Sequence, residues 1–481
     1  MVLKGYILGI GYALCCLLLS FVVYKLGLPK KYTRKIVHVL VGFEWVILYH
    51  YIGSGVHFLS ICILFLLLLL IAYKGRLMPM ISSDDDNAPG TVYYAVAMTG
   101  VALIGCFAPN VMLPFGIGVM CTSVGDGLAG IVGQLVRKGN PKIYGNKTIL
   151  GSFTNFAASS VSAIAISCIY SFNVDVIWCV LIGVLSSELE LIAPKGLDNI
   201  SITWGVTAFA YAAMHLESFT DYLLPVLLTP VIIIFVISKR ALTRGGLAGA
   251  VVLDIAVSAA FGNCGFIVLS SFFMGAIVVD KIKDGNKRQG RVDIEEKSDR
   301  RDIAQVLANG GVAFVFAVIY ICTGYRLLVI PFVASLAEAF SDTVASGMGV
   351  FAKRTYDPFR RCWCEKGLSG GMSLPGTMAS FAGAIIITLI AMLIGFVEPS
   401  LKISVIIIAS AFIGAIVDSA LGSLVQAKYR CSSCDQITEK KEHCGTATSK
   451  CGGIACINND VVNALSCAFS AVCSLLMAMI F

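Results

Sequence analysis

Polar residues that could bind phosphate and a metal ion recur in the same order in two stretches of this apolar sequence. Three short frames of the first stretch have counterparts in the second: Arg34-Lys35-Ile36-Val37-His38-Val39-Leu40 with Arg301-Asp302-Ile303-Ala304-Gln305-Val306-Leu307, Asp126-x-x-Ala129-x-x-x-Gly133 with Asp342-x-x-Ala345-x-x-x-Gly349, and Thr148-x-x-Gly151-Ser152 with Ser373-x-x-Gly376-Thr377. The series closes with Asp198-Asn199-x-x-x-Thr203 and with Asn459-Asp460-x-x-Asn463. Packing alone does not require such a series. It therefore predicts one membrane active-site plan that is used twice.

Carboxylates inside apolar segments are the candidate metal ligands. An ionised side chain near lipid costs free energy, so such a residue is functional by default. We expect Mg²⁺ as the metal. Its candidate ligands are Asp126, Glu190, Glu338, Asp342, Asp418 and Asp460. One alternative stays open for Asp126, which could be a polar residue that only bonds a neighbouring helix.

Lys147 and Thr148 stand beside glycines that leave backbone N–H groups free, and this combination suits a polyphosphate. The candidate nucleotide-binding residues are Arg34, Gly130, Gly133, Thr148, Gly151, Ser152, Asp198, Asn199, Arg301, Asn309, Ser346, Ser369, Gly370, Gly371, Ser373, Gly376, Thr377 and Asn459. The sequence has no G-x-x-x-x-G-K-[S/T] motif. Walker-type ATP chemistry is therefore not expected.

The elements that position these residues are predicted to be membrane helices. Of the 481 residues, 57% are hydrophobic and 14% charged, and the mean hydropathy is +0.86. A water-soluble core of this size needs more polar surface, so the composition predicts an all-α polytopic membrane protein. About sixteen apolar runs suit a hydrocarbon core about 30 Å thick: 5–24, 36–52, 56–73, 91–107, 111–136, 151–171, 174–194, 200–214, 222–238, 246–261, 265–280, 304–322, 326–351, 373–396, 403–427 and 459–480. The first run lacks a small-residue cleavage site after it, so we expect a retained helix.

Basic residues are distributed unequally between the two sides of this predicted bundle. All but three of the 36 lysines and arginines fall in loops on one side, and the exceptions are Lys4, Arg326 and Lys402. By the positive-inside rule the basic side faces the cytosol, and every repeated motif lies at that face. Two additional spans separate the arginine and aspartate frames in the first half. Because two helices restore the original side, the repeat is predicted to be parallel.

A cysteine-rich insert, 428–458, separates the last two spans. It contains Cys431-x-x-Cys434 and His443-Cys444, followed by Cys451 and Cys456. The close thiol pair and the later ligands are what tetrahedral Zn²⁺ prefers. Three interpretations stay open, namely structural zinc, reduced cysteines without a metal, and a redox switch.

Residues 30–205 resemble the phytol kinase and dolichol kinase family of polytopic membrane enzymes. The resemblance rests on Arg34-Lys35-Ile36-Val37-His38, Gly90-x-x-Tyr93-Tyr94, Gly125-Asp126-Gly127-x-Ala129-x-x-x-Gly133, Lys147-x-x-x-Gly151-Ser152 and Gly196-Leu197-Asp198-Asn199. It implies transfer of a phosphoryl group to a lipid alcohol, typically from CTP. CTP-dependent diacylglycerol kinase is similar in the same motifs, so the acceptor stays open.

Residues 240–480 resemble a related group, the integral membrane family that includes plant phytyl-phosphate kinase. The matching motifs are Arg301-x-x-x-Gln305-Val306-Leu307-Ala308-Asn309-Gly310-Gly311, Glu338-x-x-x-Asp342-Thr343-x-Ala345-Ser346, Leu368-Ser369-Gly370-Gly371-x-Ser373-x-x-Gly376-Thr377, Asp418-Ser419-x-x-Gly422 with Gln426, and Asn458-Asn459-Asp460-x-x-Asn463. The resemblance also implies that an insert with a C-x-x-C pair and an H-C pair belongs to this family's pattern, as Cys431-x-x-Cys434 and His443-Cys444 do here. Gly347 stands where this family has a glutamate. Either that carboxylate is dispensable, or Glu338 and Asp342 hold the metal alone.

His38 and Gln305 occupy equivalent positions and suggest different acceptors. An alcohol becomes a good nucleophile only when it loses a proton, which a histidine could accept as general base. A lipid phosphate is already largely ionised near pH 7 and needs no base. In the alternative, His38 only forms hydrogen bonds, since phosphoryl transfer depends mainly on positioning and charge stabilisation. The candidate catalytic residues are His38, Asp126, Lys147, Gln305 and Asp342.

Together these patterns predict a bifunctional CTP-dependent isoprenoid kinase with Mg²⁺ as cofactor. A domain at 1–215 would phosphorylate an isoprenoid alcohol, and a domain at 216–481 would convert the monophosphate to the diphosphate. Two alternatives stay open. One is a CTP-dependent diacylglycerol or polyprenol kinase with a regulatory C-terminal domain, and the other is a lipid-phosphate transporter.

Overall fold

The protein is described here by a computed structural model that covers residues 1–53, 55–75, 90–136, 139–145, 147–171, 174–194, 196–215, 218–287 and 300–481. Parts of the basic loops whose lysines and arginines predict the cytosolic side, including 288–299, lie outside these residues. The described chain divides into two compact units. Unit 1 comprises Met1–Tyr222 and Leu247–Ala259, and unit 2 comprises Leu223–Gly246 and Ala260–Phe481.

Unit 1 is built around a fully buried central helix, α6, which precedes the predicted magnesium ligand Asp126. All nine residues of α6, Met112–Met120, are buried. The elements before it are α1 (Val2–Lys25), α2 (Lys30–Gly42), α3 (Glu44–Tyr51), α4 (Val56–Lys74), α5 (Gly90–Phe107) and a 3₁₀ turn (Pro109–Val111). Those after it are a π-helical turn (Cys121–Asp126), α7 (Gly127–Leu135), β1 (Lys142–Tyr144), β2 (Lys147–Thr148), α8 (Ile149–Ile169), α9 (Val176–Ile192), α10 (Asp198–His215) and a 3₁₀ turn (Phe219–Tyr222).

Unit 2 has its own buried central helix, α14 (Val329–Gly349), in which every residue from Ile330 to Ser341 is buried. It packs against α13 (Ile303–Thr323), α15 (Leu374–Leu393), α16 (Leu401–Leu424) and α17 (Asn459–Ile480). A 3₁₀ turn (Arg326–Leu328) precedes α14, and α11 (Leu223–Lys239) begins the unit. The strands are β3 (Thr355–Asp357), β4 (Cys362–Cys364), β5 (Lys428–Cys431), β6 (Ile437–Thr438), β7 (Glu442–His443) and β8 (Thr446–Gly452).

The predicted all-α membrane fold class is confirmed. Twelve helical segments of the described chain are long and apolar enough to cross a membrane, judged by length and composition. One predicted boundary is wrong. The run 36–52 is not one helix, because α2 ends at Gly42, where a side chain would collide with Ser123. The runs 246–261 and 265–280 are separate, as predicted: within α12 (Arg244–Lys287) the backbone is not helical at Gly262, where φ is +60° and the helix is kinked.

Both units begin the helix after their first hairpin in the same way. Thr148 caps α8 by accepting a hydrogen bond from Gly151 N at 3.3 Å, and Ser373 caps α15 by accepting one from Gly376 N at 3.2 Å. A hydroxyl at this position satisfies an N–H group that the helix leaves unpaired. The glycines also permit close packing, since a Cβ atom at Gly151 or Gly376 would lie 3.8 or 3.6 Å from Cα of Gly133 or Gly349.

The cysteine-rich insert forms a small four-stranded sheet of order β6-β5-β8-β7. The β5–β6 and β7–β8 connections are antiparallel hairpins, and β5 pairs with β8 between them. Two other hairpins, β1–β2 and β3–β4, precede α8 and α15. These strands are short additions to a helical protein.

Candidate functional site

Asp126 lies at the end of the π-helical turn in unit 1 and is 3% exposed. Lys35 Nζ is 2.5 Å from its Oδ2 atom and 3.3 Å from its carbonyl oxygen. Single π-helical turns within helices often mark functional sites. Gly130 makes room for the lysine, because a Cβ atom there would lie 2.5 Å from Lys35 Cε. Asp126 therefore forms a buried ion pair between α2 and the end of the π turn.

His38 lies on α2 close to the same carboxylate. Its Nε2 atom is 3.1 Å from the carbonyl oxygen of Thr122 and 3.8 Å from Asp126 Oδ2. Because a carbonyl oxygen only accepts hydrogen bonds, Nε2 carries the hydrogen and Nδ1 is the nitrogen that could accept a proton. Tyr94 contacts the imidazole edge-on with ring centroids 5.1 Å apart, and its hydroxyl is 3.0 Å from Ser123 Oγ.

Lys147 joins the acidic residues of α9 and α10. Its Nζ atom is 2.5 Å from Glu190 Oε1 and 3.5 Å from Asp198 Oδ2. Burial lowers the pKa of Lys147, but attraction to Asp198, Glu190 and Asp126 outweighs it, so the pKa lies above the ordinary value. The lysine thus stays charged beside Thr148, the cap of α8.

The remaining candidates of unit 1 lie around these two ion pairs. Asn199 donates to the carbonyl oxygens of Gly90 and Gly196 at 3.0 and 3.2 Å, so its amide holds α5 near α10. Ser152 Oγ is buried and has no hydrogen-bond partner among the described residues. Arg34 lies half-buried on α2 beside Lys35. Gly133 contacts the capping hydroxyl of Thr148, where a Cβ atom would be 3.0 Å from it.

Unit 2 gathers three carboxylates, Glu338 and Asp342 on α14 and Asp418 on α16. They are close enough to repel one another electrostatically. Cys467 donates to Glu338 Oε2 at 2.8 Å, and Ser466 donates to Asp418 Oδ2 at 3.2 Å. Glu338 is 1% exposed, and its Oε1 atom has no hydrogen-bond partner in the part of the chain that the structure describes. Within that part, neither Glu338 nor Asp418 forms an ion pair.

The second arginine frame is arranged differently from the first. Arg301 pairs with Asp280 at 2.9 Å. Asp302 and Gln305 form a reciprocal capping box at the start of α13, in which Asp302 N donates to Gln305 Oε1 and Gln305 N donates to Asp302 Oδ1. The side chain of Gln305 therefore stabilises a helix end, whereas His38 lies near a carboxylate. Asn309, one turn along, accepts a hydrogen bond from Asn463 at 3.3 Å.

Two buried side chains bind the backbone N–H and carbonyl groups of one residue, Ser369, in the loop before α15. Ser369 N donates to Glu439 Oε1 at 2.9 Å, and its carbonyl oxygen accepts from Lys428 Nζ at 3.1 Å. Gly370 has φ of +92°, and a Cβ atom there would lie 2.5 Å from Ser423 Cβ. Gly371 and Ser373 continue the loop into α15, where Thr377 N donates to the Ser373 carbonyl at 2.8 Å.

Three other candidates lie outside these contacts. Ser346 is exposed on α14, and its hydroxyl donates to the Thr343 carbonyl. Asn459 and Asp460 are half-buried in the first turn of α17. Four ligand atoms of the insert, from Cys431, Cys434, His443 and Cys444, all lie within 4.8 Å of one another.

Sequence reasoning missed several residues of these sites. Lys35 was part of a recognised frame, and its spacing of three from His38 on a helix would have placed both on one face. Cys467, Ser466, Lys428 and Glu439 carry no local signal. Their roles depend on which helices and strands meet.

The sequence profile of a family described as integral membrane protein DUF92 matches residues 227–471, just over half of the chain. The chain belongs to this family. It is thus a multi-pass integral membrane protein, and the matched range contains all candidate residues of unit 2.

Curated relatives are similar to parts of the chain. A phytol kinase of Synechocystis is 29% identical over 200 residues, which cover 39% of this chain and 82% of the relative. Protein VTE6, chloroplastic, of Arabidopsis thaliana is 26% identical over 256 residues, covering 51% of this chain and 69% of the relative. An uncharacterized membrane protein of Methanocaldococcus jannaschii is 27% identical over 219 residues, covering 44% and 87%. No solved structure matches the chain significantly.

Proposed function

We propose that the protein is a bifunctional isoprenoid kinase that uses CTP and Mg²⁺ at the cytosolic face. Unit 1 phosphorylates an isoprenoid alcohol of the phytol, geranylgeraniol or polyprenol type, and unit 2 phosphorylates the resulting monophosphate. The observation that carries the proposal is the same in both units. In each unit a hydroxyl-capped, glycine-containing helix start packs against the turn that follows the frame aspartate: a Cβ atom at Gly151 or Gly376 would lie 3.4 or 3.1 Å from the carbonyl oxygen of Ala129 or Ala345. Similarity to a phytol kinase supports the isoprenoid class of acceptor.

Phosphoryl transfer needs fixed positive charge and exposed donors more than it needs covalent chemistry. In unit 1 Lys147 supplies the charge directly before the cap of α8. The first three N–H groups of that helix already donate, to the Pro141 carbonyl, Asn140 Oδ1 and Thr148 Oγ1. The donor that remains for a phosphate is the Ser152 hydroxyl, which has no partner among the described residues. His38 supplies a nitrogen that can take the proton of an attacking alcohol. Its Nε2–H donation to Thr122 fixes the orientation of the ring.

The residues of unit 2 fit a divalent cation. The buried Glu338 oxygen without a partner is a ligand atom that a cation would satisfy, and Asp342 and Asp418 interact with Glu338 electrostatically. Glu338, Asp342 and Asp418 are the residues that would hold Mg²⁺. The ion supplies neutralisation of nucleotide phosphate charge when bound. In unit 1 the equivalent ligand Asp126 is engaged by Lys35, so Mg²⁺ would share or displace that lysine.

The difference between His38 and Gln305 supports different acceptors. An alcohol must lose a proton, and unit 1 has an imidazole near its carboxylate. A monophosphate is already ionised, and unit 2 uses the equivalent side chain to cap a helix. Each unit is therefore matched to one of two consecutive steps.

Product analysis tests this proposal. Purified full-length protein in detergent receives Mg²⁺, labelled CTP and geranylgeraniol or phytol, with Asp126→Ala and Asp342→Ala run in parallel. We expect diphosphate from the wild type and accumulating monophosphate from Asp342→Ala. Asp126→Ala should make diphosphate only when monophosphate is supplied.

Other outcomes select the alternatives. Monophosphate alone from the wild type, unaffected by Asp342→Ala, would indicate one kinase with a regulatory second unit. Diacylglycerol phosphorylation without isoprenoid phosphorylation would change the acceptor class. Movement of lipid phosphate across vesicles without nucleotide consumption would indicate a transporter.

A further inference from the structure

The two hairpins of the cysteine-rich insert bring four ligand side chains to one point. Cys431 ends β5 and Cys434 lies in the β5–β6 turn, while His443 ends β7 and Cys444 lies in the β7–β8 turn. Between His443 and Thr446 the chain reverses direction in a tight turn. Cys444 and Gly445 provide it with φ of +52° and +72°, and His443 pairs with Thr446 across them. Two consecutive residues with positive φ are the pattern of a type I′ hairpin turn.

The distances among Cys434 Sγ, Cys444 Sγ and His443 Nδ1 match those of a tetrahedral zinc site, and Cys431 Sγ lies within 4.8 Å of all three. Zinc bonds of about 2.3 Å to sulfur and 2.0 to 2.1 Å to nitrogen place two sulfur ligands about 3.8 Å apart, and sulfur and nitrogen about 3.5 Å apart. Cys434 Sγ and Cys444 Sγ are 3.8 Å apart, and they lie 3.5 and 3.3 Å from His443 Nδ1. Ser433 N also donates to Cys431 Sγ at 3.4 Å, which favours a sulfur that carries negative charge.

Two residues of the same sheet form hydrogen bonds with the loop before α15. Lys428 is the first residue of β5, and Glu439 directly follows β6, so both belong to the hairpin that presents Cys431 and Cys434. Both are buried, at 4% and 5% exposure, and they hold the carbonyl and N–H groups of Ser369. Ser369 in turn lies against Gly422, one helical turn beyond Asp418 on α16.

We propose that Cys431, Cys434, His443 and Cys444 bind one structural zinc ion, and that this ion fixes the hairpin whose Lys428 and Glu439 hold the Ser369–Gly371 loop beside α16. A sheet of short strands has little apolar core of its own, and a tetrahedral metal site supplies folding free energy to such small elements. Zinc would therefore influence unit 2 by fixing the position of the Ser369–Gly371 loop.

Metal analysis of the full-length protein, purified in detergent without chelators, tests the binding site. We expect about one zinc ion per chain, and X-ray absorption should show three sulfur ligands and one nitrogen ligand. Cys434→Ser and Cys444→Ser should reduce zinc retention by at least about tenfold. Cys451→Ser and Cys456→Ser are matched controls, because both cysteines are exposed in the same insert and lie outside the cluster. They should retain zinc fully.

Hydrogen exchange tests the link to the loop. Removing zinc from the wild type with a chelator should speed exchange of the peptide 366–373 on the order of tenfold, and added zinc should reverse the change. Glu439→Ala should speed exchange of that peptide while zinc content stays normal. Glu442→Ala is its control, an exposed glutamate of the same sheet that should change neither.

The outcomes separate the two proposals. A wild-type protein without zinc, or with a Cys434–Cys444 disulfide instead, would overturn the zinc site. If zinc removal leaves hydrogen exchange of the loop unchanged, the proposal that zinc fixes the Ser369–Gly371 loop through Lys428 and Glu439 is wrong. If the ligand variants fail to fold, reversible chelation of the wild type still decides both points. Zinc content and loop exchange can be measured whether or not the protein is a kinase.

Discussion

The two units place three acidic side chains in their candidate sites but balance the charge differently. In unit 1, Asp126 pairs with Lys35, and Lys147 pairs with Glu190 and Asp198. In unit 2, Glu338, Asp342 and Asp418 repel one another, and among the described residues Glu338 and Asp418 form no ion pair.

The repeated frames explain this difference. The position of Lys35 is taken by Asp302, which caps a helix, and Arg301 is engaged by Asp280. The same frame can thus build a site with internal counter-ions or a site that needs an external cation. Unit 1 should keep its geometry without a metal ion, whereas unit 2 should depend on one.

The largest effect is expected from Lys147→Met in unit 1. The change leaves the buried carboxylate of Glu190 and that of Asp198 without their cation. Removing one partner of a buried pair costs on the order of 3 kcal/mol, so the thermal unfolding midpoint in detergent should fall by several degrees. Phosphorylation of the alcohol should also be lost.

Two companion measurements sharpen this result. The double variant Lys147→Met with Glu190→Gln should recover part of the lost stability, because it removes the stranded charge. Excess Mg²⁺ should also stabilise Lys147→Met more than the wild type, since the variant site resembles that of unit 2. A single variant that unfolds at the wild-type temperature would show that the ion pair does not hold unit 1 together.

An effect of opposite sign is expected from Asp418→Asn in unit 2. At alkaline pH, where all three carboxylates are ionised, neutralising one of them should stabilise the protein in EDTA by about 1 to 2 kcal/mol, while the stabilisation that Mg²⁺ provides becomes smaller. Asp126→Asn is the matched change in unit 1, and it should destabilise because it strands Lys35. Thermal unfolding with and without Mg²⁺ measures both. If both variants shift the midpoint in the same direction, the proposed difference in charge balance is wrong.

The sequence predicts the membrane class and the repeat, because both depend on patterns among residues that are close together in the chain. Apolar runs of bilayer length identify the helices, and Thr148 and Ser373 three residues before a glycine identify the two caps. The frames also predicted which carboxylates to consider. Whether each acts as a metal ligand, and whether CTP is the donor, stay predictions.

The rest depends on which surfaces meet, and the chain does not encode that locally. Nothing around Cys467 indicates that its thiol donates to Glu338, since a cysteine in an apolar run is usually a packing residue. Gly42, the last residue of α2, approaches Ser123, which lies 81 positions along the chain, so no local pattern indicates this contact. Gln305 reads as the equivalent of His38, yet its side chain closes a capping box with Asp302.

The smallest effect is expected at the helix caps, where the units are most alike. Thr148→Ala and Ser373→Ala each remove a hydroxyl that accepts from a glycine N–H, and each should cost about 1 kcal/mol of stability. Thr148→Ser and Ser373→Thr are the controls, because they keep the hydroxyl and should be nearly neutral. Unfolding midpoints in detergent decide the comparison. Equal losses would mean that the caps serve only to start α8 and α15. A clearly larger loss for Thr148→Ala than for Ser373→Ala would mean that the cap of α8 also positions Lys147, its neighbour in the chain. The ion pairs of Lys147 would then depend on this cap, and the cap of α15 would have no such role in unit 2.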